Sequence, residues 1–166
     1  MKKVSLKNHK LLAIWAADCA EHVLPYFEKK HPKDKRPQKA IKTLKNWIKT
    51  GVFHMKDIRR ASLDSHAAAR KTKDNLACFA ARSAGQAVAT AHVPEHAFGA
   101  SYYALKLTRA SKKNINKEFN WQLNHLPTNL KKEWKDWHSK HLPKDLKKEW
   151  NAWLAKNSKS LNNLTI

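Results

Sequence analysis

Residues 61–104 form an alanine-rich segment that constrains the fold more than any other part of the chain. The segment contains fourteen alanines and has four basic residues against three acidic ones, whereas the whole chain carries a net charge of +21. Small side chains allow helices to approach closely, and a polar group buried between such helices needs a hydrogen-bond partner or a ligand. We therefore expect this segment to form either a helical core held by polar contacts or the edge of a site.

The pattern of apolar residues predicts helices along the whole chain. There are only three glycines, and no segment alternates β-branched and polar residues as a strand would. Pro37 suits the first position of a second helix, Gly51 suits its C-terminal cap, and Asp74 suits the N-cap of a fourth helix. Pro25 either kinks the first helix or restarts it, and Pro94 either starts a fifth helix or kinks a continuous one. The predicted fold is all-α, a single-domain bundle of about seven to eight helices.

The C-terminal part contains an amphipathic helix that is duplicated. The segments LPTNLKKEWKDW, which begins at residue 126, and LPKDLKKEWNAW, which begins at residue 142, are sixteen residues apart. Helical spacing places their tryptophans on one face and their lysines outside it. We expect the aromatic face to pack against the body of the protein, with a partner surface as the alternative and the second copy as the better candidate for an exposed face. The candidate partner-binding residues are Trp134, Trp137, Trp150, Trp153, Lys131, Lys132, Lys147 and Lys148.

The high positive charge is compatible with several partners. The chain has 28 lysines and only six arginines, whereas base-edge and bidentate phosphate recognition favour arginine. Solvated helix faces explain the charge without a partner, and the other options are an acidic protein, nucleic acid and an anionic membrane surface. No run of about 18 apolar residues indicates a transmembrane span, so the expected location is the cytoplasm. Cys19 and Cys78 lie in apolar helical patterns and are expected to be reduced.

Histidines supply the candidate for a polar or metal site. Asp18 and His22 lie four residues apart, on one face of a helix. His92 and His96 have ligand-like spacing, but Pro94 between them disturbs the helical register. Imidazole and carboxylate groups bind zinc or another divalent metal, whereas core histidines hold adjacent helices by hydrogen bonds. We expect the hydrogen-bonding role and no cofactor, with a divalent metal as the alternative. The candidate residues are Asp18, His22, His66, His92 and His96.

Familiar catalytic signatures are missing from the sequence. Three scattered glycines cannot supply the phosphate cradle GxxxxGK[ST], the dinucleotide motif GxGxxG or the nucleophile motif GxSxG. Cys19 could be paired with His22, but Cys19 belongs to an apolar helical pattern in which a thiolate is not favoured. The sequence therefore does not support an enzyme.

Five ordered blocks carry a family resemblance. The blocks are LAIWAADCAEHVLPYFE (12–28), RPQKAIKTLKNWIKTG (36–51), ASLDSHAAAR (61–70), AARSAGQAVATAHVPEHAFGASYYALK (80–106) and EFNWQLNHLPTNL (118–130). Over about residues 11–132 the chain resembles the Imm-5-like putative immunity proteins of bacteria. The resemblance implies an all-helical cytoplasmic protein that binds and neutralises a polymorphic toxin, and relatives can also carry an exonuclease-type label that no motif here supports.

The chain departs from this family pattern in two places. Gln86 occupies a position where we expect histidine in relatives, and the second repeat copy lies outside the resemblance. We therefore predict a helical immunity-like domain over 1–140, and a basic C-terminal helical extension and tail over 141–166 that repeats 126–137. The leading hypothesis is a non-catalytic binding module for an acidic protein, a cognate toxin. The alternatives are a nucleic-acid-associated basic helical protein and a metal-dependent hydrolase that uses the histidines.

Overall fold

The structure, a computed structural model, describes the backbone of residues 4–162 and the side chains of residues 4–157. This part of the chain forms eight α-helices, one short 3-10 helix and no strand, which confirms the all-α prediction. None of the described helices is both long and apolar enough to cross a membrane. The α-helices are α1 (Leu6–Lys30), α2 (Arg36–Thr50), α3 (Met55–Lys71), α4 (Asn75–Ala89), α5 (His96–Ala110), α6 (Ile115–His125), α7 (Lys131–His141) and α8 (Lys144–Asn162), and the 3-10 helix is Thr128–Leu130.

Local sequence signals set several helix ends. Asp74 caps α4, because its carboxylate accepts a hydrogen bond from the Ala77 N–H at 2.9 Å. Pro37 lies in the first turn of α2, where its missing N–H leaves no gap in the helix. Gly51 ends α2 with a φ of 73°, a left-handed conformation that glycine adopts without steric cost. Both cap predictions are confirmed, and Pro37 lies one residue after the predicted first position, because α2 begins at Arg36.

The two prolines in question behave differently from each other. Helix α1 continues through Pro25 to Lys30 without a restart. Pro25 is exposed, so water can reach the helix backbone where the proline removes a donor. Pro94 does not kink a continuous helix, because α4 ends at Ala89 and α5 begins at His96, two residues after the proline. It lies in a separate turn between α4 and α5, and its carbonyl accepts from the Ala97 N–H at 3.1 Å.

Helix α4 lies at the centre of the bundle and packs against α1, α2, α3 and α5. Most of its buried residues are alanines, so the neighbouring backbones come close. Serine hydroxyls can therefore donate hydrogen bonds to backbone carbonyls of the neighbouring helix. Ser65 on α3 donates to the Ala81 carbonyl at 2.8 Å, and Ser83 on α4 donates to the Ala100 carbonyl at 2.9 Å. The alanine-rich segment is therefore a helical core held by polar contacts.

Two glycines make room for polar side chains at these contacts. A Cβ atom at Gly85 would lie 2.8 Å from the His66 ring, and one at Gly99 would lie 2.7 Å from Gln86 Oε1. Contacts this short do not occur between a real Cβ and its neighbours, so larger residues would force the helices or the side chains to shift. Gly85 thus sets the distance between α3 and α4.

The C-terminal helices form a second layer on the bundle. Helices α7 and α8 pack on each other and contact the rest of the protein through α5 and α6. Arg109 on α5 forms ion pairs with Asp145 and Glu149 on α8. The division of the chain into 1–140 and 141–166 stays a prediction, although α8 shares a hydrophobic core with α6 and α7.

Replacing Gly85 by alanine tests the close contact between α3 and α4. We expect Gly85→Ala to lower the free energy of unfolding by about 1–3 kcal/mol, because the new methyl group overlaps the His66 ring. In a His66→Ala background the same change should stabilise the protein by about 0.5–1 kcal/mol, since alanine is the better helix former. Urea unfolding of the wild type, Gly85→Ala, His66→Ala and the double variant measures both effects. A change of the same sign in both backgrounds would show that the His66 ring does not limit the size of residue 85.

Candidate functional site

The structure divides the five predicted site residues between two places. Asp18 and His22 lie on α1, where His22 contacts Glu118 and Trp121 of α6, whereas His66, His92 and His96 lie around α3, α4 and α5. No three His, Cys, Asp or Glu side chains among the described residues are arranged to hold a metal ion. The two groups therefore need to be considered separately.

His22 belongs to an aromatic stack at the surface. Its ring stacks on Trp121 with a centroid distance of 4.3 Å, and Trp121 stacks on His125 at 4.1 Å. His22 Nε2 also lies 3.2 Å from Oε2 of the buried Glu118. Burial raises the pKa of Asp18, and the nearby Glu21 carboxylate adds to this rise. This group joins α1 to α6.

The second group is built around the end of α4. His96 Nδ1 lies 2.7 Å from Gln86 Oε1, and the rings of His92 and His96 are 5.1 Å apart. His66 lies against Gly85, one residue before Gln86. Glutamine at this position acts as a hydrogen-bond acceptor for His96, which is the helix-pinning role expected of these histidines.

Burial controls the protonation of this second group. Burial, together with the positive charges of Arg82 and Arg70, lowers the pKa of His66 to about 4. Burial also lowers the pKa of His92 and of His96. All three imidazoles are therefore neutral at neutral pH, and the Nδ1 atoms of His66 and His92 have no described hydrogen-bond partner.

A buried polar chain that the sequence analysis missed runs from α6 through α5 to α7. Gln122 Nε2 donates to Glu118 Oε1 at 2.9 Å and to the Ser101 carbonyl at 3.2 Å. Ser101 Oγ lies 2.6 Å from Gln122 Oε1 and 3.0 Å from His138 Nε2. None of these four side chains is more than 4% exposed. A signal was available, since Glu118 and Gln122 are four residues apart and Gln122 lies on the buried face of α6.

Proton positions in the polar chain follow from its acceptors. Burial lowers the pKa of His138 to about 3, so the ring is neutral at neutral pH. Nδ1 faces the Trp134 carbonyl at 2.8 Å and must carry the hydrogen, which leaves Nε2 as an acceptor. The Ser101 hydroxyl proton then has two acceptors, His138 Nε2 and Gln122 Oε1. The side chains of this polar chain bond to one another, so few of their hydrogen-bonding positions are left for a ligand.

The surface end of the polar chain opens into a cavity of about 420 Å³. Lys113 Nζ lies 5.2 Å from the centroid of the Tyr26 ring at this cavity. Ser101 and His138 are 0% exposed and are not among the residues that line it. Although Ser101 and His138 resemble a nucleophile and its base, no substrate can reach them in this structure.

The predicted aromatic face of the tail is mostly buried. Trp134, Trp150 and Trp153 are at most 2% exposed, so the expected packing of the aromatic face against the body is confirmed and the alternative, an exposed face on the second copy, is wrong. Trp150 and Trp153 pack on Phe119 of α6, with ring centroids 5.2 and 5.4 Å away. Trp137 is half-buried, and its ring is 5.7 Å from that of Phe98. The physical reason is that α6 and α7 offer α8 an aromatic surface on which to pack.

The candidate lysines of the tail differ in their surroundings. Lys132 forms an ion pair with Asp136 at 2.7 Å on the same helix. Lys131 and Lys147 are half-buried, whereas Lys148 is exposed. Because the tryptophans are withdrawn from the surface, these lysines do not surround an aromatic platform.

An open groove lies between α2 and α3, and we call it the α2–α3 groove. Its volume is about 900 Å³. Its basic lining residues are Lys35, Arg36, Lys39, Lys42 and Arg60, and its acidic lining residues are Asp57 and Asp64. Basic residues therefore outnumber acidic ones along its walls, and the groove is open to solvent where a macromolecule can approach.

Comparison with known proteins identifies one family. The family model described as "Imm-5 like putative immunity protein" matches residues 2–129. No curated protein and no solved structure matches the chain. The matched region contains α1 to α6, including the alanine-rich core, Glu118 and Gln122, and it ends before α7 begins.

The neutral His138 ring predicts a loss of stability in mild acid. The unfolded chain protonates this histidine near its ordinary pKa of about 6.5, whereas the folded protein keeps it neutral down to about pH 3. Stability should therefore be fully present above about pH 6.5 and should fall by up to about 1.4 kcal/mol for each pH unit below it.

Urea unfolding of the wild type and of His138→Gln across this pH range checks the prediction. The glutamine variant lacks the titrating ring and should lose stability less steeply as the pH falls. Equal pH dependence in the two proteins would show that His138 does not contribute in this way.

Proposed function

The chain belongs to the Imm-5-like immunity protein family, and from this membership we propose that it neutralises a bacterial toxin by binding to it, without catalysing a reaction. The partner is a protein whose contact surface is acidic. We propose that the protein binds the toxin in the cytoplasm and needs no cofactor to do so.

The main support for the proposal is that Ser101 and His138 of the buried polar chain are inaccessible to a substrate. Ser101 and His138 are the pair with the composition of a nucleophile and a base, and both are 0% exposed. Their polar atoms are already engaged with Gln122 and with the Trp134 carbonyl. Groups that are desolvated and bonded to one another stabilise a fold more readily than they perform chemistry on a substrate.

The distribution of charge supports an acidic partner. The chain carries a net charge of +21, and basic residues predominate in the α2–α3 groove. Complementary charge raises the rate of association and disfavours wrong partners. An inhibitor that imitates nucleic acid would carry negative charge, so we propose that this protein does not act as such a mimic.

The helices beyond the family match have a supporting role in this proposal. Helix α8 places Trp150 and Trp153 on the aromatic core around Phe119. We propose that the extension over 141–166 stabilises the immunity domain, and that its tryptophans do not contact the toxin.

A titration of toxin activity tests the proposal. The probe is the product of a toxin gene directly upstream of this gene. We expect co-expression with this protein to rescue growth, and in vitro we expect toxin activity to fall in proportion to added protein until the two are equimolar. Stoichiometric loss follows from binding, because each inhibitor molecule occupies one toxin.

Ser101→Ala provides the matched control for chemistry. This variant removes the hydroxyl that lies 3.0 Å from His138 Nε2, so a folded Ser101→Ala protein should protect as well as the wild type. Loss of toxin activity at a small molar fraction of this protein would indicate catalysis, and failure of the wild type to protect would contradict the proposed function.

A further inference from the structure

Helix α2 presents positive charge without any acidic residue of its own. Its sequence contains five basic residues, and the first turn has no acidic side chain. Lys45 is paired with Glu21 at 2.6 Å, and Arg36 is paired with Asp34. Lys39 and Lys42 are exposed in the α2–α3 groove, and neither belongs to an ion pair formed among the described residues, unlike Arg36, Lys45 and Arg60. Their charge is therefore available to a partner.

An exposed apolar loop lies at one end of this groove. Gly51 turns the chain out of α2, and the side chains that follow are unusually exposed for their type: Val52 by 54%, Phe53 by 41% and Met55 by 50%. Asn46 and Asp57, which line the groove, are close to this loop in sequence on either side of it. Contiguous exposed apolar side chains surrounded by charge mark interaction sites, and aromatic residues commonly anchor them.

Together these features define the α2–α3 face, which consists of the α2–α3 groove and the apolar loop Val52–Met55. We propose that the α2–α3 face is the surface that docks an acidic protein, with Lys39 and Lys42 contacting its carboxylates and Phe53 entering an apolar depression between them. This inference rests on the proposed function and specifies where the toxin binds.

Two observations favour a protein over nucleic acid at this face. Asp57 and Asp64 line the groove; Asp64 lies 3.9 Å from Arg60, and the Asp57 carboxylate would repel a phosphate backbone that followed the groove. A protein can place basic groups opposite these two carboxylates and acidic groups opposite the lysines. Within this segment Val52 and Met55 cannot stack on a base, whereas both can be buried against a protein together with Phe53.

A second copy of this chain is not expected to bind at the α2–α3 face. It would bring the same unpaired lysines of α2 together, and each copy carries a net charge of +21. Like charges that meet without partners oppose association. The complementary surface must therefore come from an acidic protein.

Matched variants of this chain test the face against the toxin named above. Lys39→Glu with Lys42→Glu, and separately Phe53→Ser, should each weaken binding about tenfold or more, measured by calorimetry on inactive toxin. The controls are Lys144→Glu with Lys148→Glu, an equal change of charge on exposed positions of α8, and Leu63→Ser, an exposed apolar residue that does not line the groove. The controls should change affinity by less than about threefold.

The results separate the two proposals from each other. If the wild type does not bind the toxin, the proposed function fails. If it binds and the face variants bind equally well, the α2–α3 face is overturned while the proposed function stands. Circular dichroism and thermal unfolding of each variant exclude loss of the fold as the cause of weaker binding.

A second probe examines the face directly. A copolymer of glutamate and tyrosine presents carboxylates together with aromatic groups, and oligothymidylate presents phosphates. In amide NMR spectra the copolymer should shift the signals of Val52–Met55 and of α2 more than poly-glutamate does, and Phe53→Ser should abolish that difference. Shifts of the same signals by oligothymidylate that equal those from the copolymer would overturn the assignment to a protein partner.

Discussion

The close approach of neighbouring helices to α4 is the constraint on which the rest of the structure depends. Alanines on α4 allow this approach, Gly85 admits the His66 ring, and serine hydroxyls bond to carbonyls across the contacts. Each such bond requires the neighbouring backbone to be within reach, so the hydrogen bonds and the small side chains depend on each other. The same closeness partly buries polar groups such as His66 and His96, which lowers their pKa and keeps them neutral at neutral pH.

Interior and surface consequently have different roles. Inside, the polar chain from Glu118 to His138 joins α5, α6 and α7, and its buried groups are bonded largely to one another. Outside, lysines on α2 and apolar residues of the loop after Gly51 remain exposed. The described residues thus combine an interior whose polar groups bond to one another with a surface on which charged and apolar groups remain accessible.

The hydrophobic core extends further along the chain than the family match does. The family match ends at residue 129, yet Phe119 within it is buried against Trp150 and Trp153 of α8. The duplicated helix thus covers an aromatic surface that the matched region already provides. The sequences of α7 and α8 are so similar that they do not show which apolar face is covered. The position of Phe119 decides that the face of α8 is buried.

The sequence by itself determined the all-α class, the caps at Gly51 and Asp74, the alanine-rich core and the family. These features depend on local backbone preferences and on helical periodicity, which a short window of residues expresses. Only the tertiary structure decided that Asp18 and His22 lie apart from His66, His92 and His96, and that Ser101, Gln122 and His138 meet. Residues distant along the chain come together only through the relative placement of helices, because side-chain packing over many contacts determines that placement and no local pattern encodes it.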